Sequence, residues 1–388
     1  MDNLVTRLVS HRIVDPEYSE AFFLSYRIFT TPLQFLEALK IRFFNPKRTT
    51  VFEDQQEAKI SIQIRIVQVM KEWLNNRACA TDFEDRALLS AISEFLSVLD
   101  QEPHTKSILP DLIAIMENRI KTQFQVKPNV VVTPDSEMIS PLEQLKSIQQ
   151  IDAKDFAQYL SFDEFKYFQQ VPPREFLQQC WLKPNKNLLA PNLLSMTKRF
   201  CDISEWVVYE VLLGNTPKER AGIVTFFLQV ARELLELQNL SGMAAIMGGL
   251  TNASVSRLKK TFQKLHPKYV SLYQQYETDV VGMNNWKNFR AISLNADPPF
   301  IPLLAITLKD LTYIEEGNPD FLQGGGINFY KLKRVSLVIS DIMSSQSVPY
   351  PSPDPMLVKK LDQYLSKNKQ KANSLGNNGL FKISKKFE

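Results

Sequence analysis

Two adjacent glutamates, Glu315 and Glu316, are the side chains best placed for chemistry, at the C-terminal end of an apolar helical stretch. The helix macrodipole has its negative pole there, so each negative charge is disfavoured by about 0.3–1 kcal/mol. An acidic helix end in solvent before a glycine stop would account for the pair. So would a carboxylate held out for a partner. Covalent chemistry finds little else to use. The three histidines, His11, His104 and His266, stand in unrelated contexts, and none accompanies a serine or cysteine motif that would mark a nucleophile. Cys79, Cys180 and Cys201 lack metal-ligand spacing. Neither glycine-rich phosphate-loop pattern occurs, and Gly324-Gly325-Gly326 follows no strand, so it reads as a turn. No metal and no cofactor is expected. The remaining chemistry is binding.

The glutamates belong to the stretch Pro298–Ser344, PPFIPLLAITLKDLTYIEEGNPDFLQGGGINFYKLKRVSLVISDIMSS. Pro298, Pro299 and Pro302 impose an extended entry, because proline locks φ and lacks a donor. Leu303, Leu304, Leu308, Leu311 and Ile314 then recur at helical spacing. Gly317, Pro319 and the triple glycine break the chain. A second amphipathic segment puts Leu332, Val335, Val338, Ile339 and Ile342 on one face and Lys331, Lys333 and Arg334 on the other. Two helices joined by a glycine-rich turn make a hairpin with its acidic pair at the tip.

The chain of 388 residues exceeds the size at which one core stops growing, so two domains are expected. Hydrophobic residues make up 44% and charged residues 23%, near the globular average, which argues against disorder for the bulk. Only 12 glycines accompany long periodic apolar segments, and the fold class is all-α. The three cysteines read as buried thiols in a reducing compartment. No apolar run approaches the roughly 20 residues of a bilayer span, and the N-terminus lacks a signal-peptide h-region. A cytoplasmic protein is expected. A formal charge of +4 is too small and diffuse to argue for nucleic acid.

Three blocks carry a resemblance. They are EEGNP behind its proline-led helix, LAPNLLSMTKRFCDISEWV (Leu189–Val207) and ELLELQNLSGMAAIMGGLTNASVSRLKKTF (Glu233–Phe262). In their order along the chain, with EEGNP last, they resemble the catalytic domain of Ras-family guanine-nucleotide exchange factors of the Son of Sevenless type. FFLSYRIFTTP, with Phe22, Tyr26 and Phe29 on one face and a Thr31-Pro32 helix start, is similar to the N-terminal motif that precedes that domain.

The resemblance implies a mechanism without bond-making. The hairpin displaces switch I of a Ras-family small GTPase, and Glu316 presses its carboxylate into the phosphate and Mg²⁺ site. Thr312, one turn earlier, stands where the family has a leucine that helps occlude Mg²⁺, and Lys309 faces the partner a turn before that. Switch II is gripped by Thr197, Lys198, Ala244, Met247, Thr251, Asn252, Trp286 and Leu303. Ala244 falls where a larger aliphatic side chain is expected, and Thr251 where the family has asparagine, a role Asn252 could take. Core packing is the alternative for Trp286, and helix capping for Thr251-Asn252. Arg257 and Phe262 read as structural.

The expected organisation is an N-terminal exchanger motif over 1–125, a proline-marked linker over 126–141, a catalytic domain over 142–370 and a basic tail over 371–388. EAKISIQIRIVQVMKEWL is read as helix rather than strand on length. Helix breaks are expected at Pro184, Pro191, Pro217, Gly242 and Pro267. The lysine-rich tail reads as solvated and mobile; the alternative is weak attraction to an anionic plasma membrane. EEGNP resembles exchangers acting on Ras and KDLTY those acting on Rap, with Ras favoured. A catalytically inactive scaffold of the same fold is the rival function. The N-terminal unit is expected to brace the hairpin rather than bind a second GTPase.

Overall fold

Prolines and short polar side chains decide where the helices begin. The computed structural model describes residues 2–10, 15–46, 55–124, 145–280 and 283–388. Among them strand pairing is limited to two isolated bridges, Asn239–Ile301 and Phe321–Ile327, and the fold is all-α. The expected linker 126–141 and His11 lie outside the described residues. The chain divides into two units, one of Met1–Ser136 with Ile314–Leu337, the other of Glu137–Tyr313 with Val338–Glu388.

The first unit holds α1 (Asp2–Leu8), α2 (Pro16–Ser25), α3 (Pro32–Phe44), α4 (Gln55–Asn75), α5 (Arg86–Leu99) and α6 (Leu109–Phe124). Thr31 caps α3 in a capping box with Gln34, as its position before Pro32 implies. Phe22, Tyr26, Phe35 and Trp73 are fully buried and form an aromatic cluster. Tyr26 donates its hydroxyl proton to Asp82, and Trp73 Nε1 donates to Tyr26 at 3.2 Å. The isoleucine-rich stretch is indeed helical, as α4. Its buried face runs through Ile62, Ile66, Val69 and Trp73, leaving Ile60 and Ile64 half-exposed.

The second unit is built on α7 (Ala153–Phe168), α8 (Lys186–Leu189), α9 (Pro191–Leu212), α10 (Pro217–Glu236), α11 (Leu240–Thr251), α12 (Ala253–Ser256), α13 (Lys259–Phe262), α14 (Pro267–Val280) and α15 (Lys287–Leu294). The hairpin follows as α16 (Leu304–Gly317) and α17 (Phe329–Ser345), then α18 (Pro355–Ser384). Pro191, Pro217 and Pro267 open their helices. Gly242 does not break the chain. It lies in the first turn of α11, where its N–H donates to the Asn239 side chain at 2.7 Å.

A buried polar network fixes α11 against α7. Asn239 donates to Ser161 at 3.1 Å and Glu164 at 3.0 Å, and Ser241 donates to Glu164 at 2.8 Å. Gly249 lets α9 approach, because a Cβ there would lie 2.6 Å from the Ser204 carbonyl oxygen. The extended entry to the hairpin is tied to this core: Leu240 N–H donates to Ile301 at 3.0 Å, and Ile301 N–H to Gln238 at 3.1 Å.

Two expectations fail here. Only Cys79 is a buried thiol; Cys180 is half-buried and Cys201 exposed on the outer face of α9. The basic stretch 371–388 is no solvated tail. It continues α18 past a break at Gly376 (φ +57°), burying Ala372, Leu380 and Ser384. Apolar side chains spaced among the lysines give it a face to bury. No described helix is long and apolar enough to cross a membrane.

Candidate functional site

Glu315 and Glu316 point to different surroundings. Glu315 is turned into the hairpin, where its carboxylate meets Lys331 Nζ at 2.6 Å. Lys331 also meets Asp320 at 2.6 Å and donates to the Glu315 carbonyl at 3.1 Å. Its side chain is only 4% exposed. The sequence pattern put Lys331 on the polar face. It lies four residues before Val335 and eleven before Ile342, so it belongs to the buried stripe. Burial works against its charge, but the two carboxylates outweigh that and hold its pKa above the ordinary lysine value.

Asn328 completes the turn. Its side chain donates to the Pro319 carbonyl at 2.9 Å and accepts from Lys331 N–H at 3.3 Å, and its own N–H donates to the Asp320 carbonyl at 2.8 Å. Gly324 and Gly325 adopt φ of +100° and +81°, which glycine alone takes without strain. Within the same unit Phe329 stacks on Tyr18 with centroids 4.4 Å apart, and Lys333 pairs with Glu17 at 2.5 Å. Glu316 is left on the exposed side of α16.

The base of α16 is held differently. Asp310 receives both Arg290 nitrogens at 2.7 Å, a bidentate pair that fixes α15 to the helix. Lys309 Nζ lies 4.8 Å from the Trp286 ring centre and 5.5 Å from that of Tyr313, and donates to Asn285 at 3.2 Å. Trp286 is half-buried against the core and donates Nε1–H to Val280 at 3.3 Å. It is the last residue of the 3-10 turn Met283–Trp286. Its φ of +54° makes it the residue that starts α15. Lys309, Thr312, Tyr313 and Glu316 follow at helical spacing along one face of α16. Thr312 is half-buried and its hydroxyl donates to the Leu308 carbonyl at 2.8 Å.

The other predicted residues divide by burial. Thr197 and Lys198 are exposed on α9, and Lys198 pairs with Asp202 at 2.6 Å. Thr251 and Asn252 end α11 half-buried. Thr251 donates to the Met247 carbonyl at 2.9 Å, and Asn252 caps α12 by accepting from Ser254 N–H at 2.9 Å. Ala244, Met247 and Leu303 are 1%, 0% and 7% exposed. These three line the core, so they shape the surface from beneath and offer a partner almost no area themselves. Arg257 is structural as expected, donating to the Ser384 carbonyl at 3.1 Å.

Comparison with known proteins bears on this arrangement. The family model of the RasGEF domain matches residues 155–333, and that of the RasGEF N-terminal motif residues 1–95. The chain belongs to the Ras guanine nucleotide exchange factor family. It is 30% identical to Ras guanine nucleotide exchange factor J of Dictyostelium discoideum and 32% identical to factor I of the same organism, each over 90% of this chain. Those matches cover 44% and 42% of the two relatives. Factor C is 40% identical over 50% of this chain and 13% of its own length. The chain thus spans less than half the length of these relatives.

Every candidate residue falls inside the RasGEF match, as does Lys331. The sequence reading missed Lys331, Asp310–Arg290 and Tyr313. Tyr313 is 61% exposed between Lys309 and Glu316, and its helical position would have placed it there.

Proposed function

We propose that this chain promotes GDP release from a Ras-family small GTPase by binding its empty state. A GTPase of this class holds nucleotide through backbone amides, a lysine and Mg²⁺ around the phosphates. An exchanger needs a large difference in affinity between the empty and loaded forms, and linkage then weakens nucleotide binding by the same factor. A 10⁴-fold difference corresponds to roughly 5.5 kcal/mol, within reach of a standard-sized interface.

In this reading the α16–α17 hairpin displaces switch I and Glu316 competes with the phosphates for the positive groups that hold them. Lys309, Thr312 and Tyr313 flank it along the same face. Trp286, Thr197, Lys198, Thr251 and Asn252 grip switch II, with Ala244, Met247 and Leu303 supporting them from below. The observation that carries the reading is the direction of the two side chains at the tip: Glu315 is turned inward to Lys331, and Glu316, one residue on, lies on the exposed side of α16. Ras is the favoured partner over Rap.

The test is release of fluorescent GDP from Ras and Rap, each with and without this chain. Faster release from Ras, and less from Rap, is expected. The inactive-scaffold reading draws on Thr312, whose hydroxyl is bonded to its own helix and which lacks the bulk of the family leucine. A stable complex with the empty GTPase and unchanged GDP release would establish that reading instead.

A further inference from the structure

The second unit carries a basic face remote in sequence from the hairpin. Between Asn252 and Glu277 there is no acidic residue, and none between Asp362 and Glu388. The fold brings these two stretches together. Arg257 Nη1 donates to the Ser384 carbonyl at 3.1 Å, Ser384 Oγ donates to the Ser254 carbonyl at 2.6 Å, and Lys260 N–H donates to the Glu388 carboxylate at 2.7 Å.

Among the described residues of these two stretches, the acidic side chain at the junction is turned inward. Glu388 accepts from Thr261 as well and lies 3.6 Å from Arg220, with its side chain 8% exposed. What remains outside is cationic: Lys259, Lys260 and Lys264 from one stretch, Lys382, Lys385 and Lys386 from the other, all exposed. None of the six is in an ion pair among the described residues. Elsewhere on the surface Lys40, Lys71 and Lys198 each pair with a carboxylate within 2.8 Å. Glu219, on the adjoining first turn of α10, is engaged by Asn215 N–H at 2.9 Å.

We propose that this face docks on an anionic lipid surface. The exposed cations are all lysines, compact charges on flexible stems that suit a diffuse layer of headgroups better than a fixed fork of acceptors. The local arginines are spent internally: Arg257 stands 5.8 Å from the Phe381 ring centre and Arg220 4.4 Å from that of Phe387. Those rings are thereby occupied, so they are not free to stack on bases as a single-strand binder requires. A negatively charged leaflet attracts such a cluster within about one Debye length.

Sedimentation of the full chain with large vesicles tests this, comparing phosphatidylcholine alone with phosphatidylcholine containing about a third phosphatidylserine. Binding to the anionic vesicles should exceed binding to the neutral ones by tenfold or more. It should vanish between about 0.1 M and 1 M salt, as the Debye length falls from about 10 Å to about 3 Å. The variant K259E/K260E/K382E/K386E should lose vesicle binding and keep its thermal unfolding and its vesicle-free nucleotide exchange. Equal binding to both vesicle types, or salt-insensitive binding, would overturn the proposal, and neither result needs the variant to fold. Tighter binding to a duplex DNA oligonucleotide than to anionic vesicles would also overturn it and assign the face to nucleic acid. The readout requires no GTPase, so its failure is distinct from failure of the exchange reading.

Discussion

The hairpin tip and the seam between α9 and α18 both bury a charged side chain, and they satisfy it in opposite ways. At the tip Lys331 meets two carboxylates, each at 2.6 Å. In the seam Glu210 meets only neutral donors: Trp206 Nε1 at 2.8 Å, Tyr364 hydroxyl at 2.9 Å and Asn368 Nδ2 at 3.1 Å. Opposite charge keeps Lys331 ionised. Neutral donors do not offset desolvation for Glu210, and burial pushes its pKa up to about 7. The tip's geometry therefore depends on charge, whereas the seam keeps its donors' partner in either protonation state. Only the first region determines where Glu316 stands.

The largest effect should come from the base of the hairpin rather than its tip. Trp286→Asp places a charge where an aromatic ring packs on the core and carries Lys309, and should weaken capture of the empty GTPase by about a hundredfold or more. Pull-down of nucleotide-free GTPase measures it, and near-normal capture would remove Trp286 from the interface. Next comes Lys331→Met, which keeps the stem and removes the charge. Glu315 and Asp320 are then left facing each other, with Asp320 58% exposed and partly screened by water. A loss of about 2 kcal/mol in hairpin order, read as a roughly thirtyfold slower exchange, is expected. Restoring part of the rate with Glu315→Gln in the same chain would identify the unpaired carboxylate as the cause.

Much of this arrangement was legible in the sequence because the hairpin is written in strong local signals. Prolines at 298, 299 and 302 force the entry, apolar spacing gives α16, and the triple glycine gives the turn. What escaped depended on contacts between segments distant in sequence. Lys331 was assigned to solvent on its residue type, although its register with Val335 and Ile342 placed it inside. Nothing in NNWKNF announces Asn285 and Trp286, two consecutive residues of positive φ that lead into α15. The stretch 371–388 was taken for a tail on its lysine content. Its fate was decided by Leu380 entering the core and by Ser384 and Glu388 finding partners in α12 and α13. Ala244 and Met247 illustrate the reverse limit: a family position gives a role, but only burial tells whether the side chain can touch anything.

Replacing the two glutamates one at a time separates geometry from chemistry within a single dipeptide. Glu316→Ala should slow GDP release about tenfold, equivalent to about 1.4 kcal/mol, while leaving thermal unfolding and most of the capture of empty GTPase intact. Glu315→Ala should lower the stability of the hairpin, measured by faster amide exchange over residues 314–337, and slow release only through that. If the two variants behaved alike in both assays, the distinction drawn between an inward strut and an outward carboxylate would be wrong.

The smallest effect concerns the seam and is a matter of sign. Glu210 has its folded pKa raised from 4.5 to about 7, so between those values the folded chain keeps a proton that the unfolded chain has released. Stability contributed by this group is therefore fully present below about pH 4.5 and is lost as pH rises through about 7, by an amount of order 3 kcal/mol. Glu210→Gln cannot titrate, keeps an oxygen for Trp206 and Asn368, and can donate to the Tyr364 oxygen. Its melting temperature should exceed that of the parent by a few degrees at pH 8 and match it near pH 5. A parent whose advantage instead appeared at high pH would mean that the three donors hold the carboxylate charged, and that the seam, like the tip, depends on ionisation.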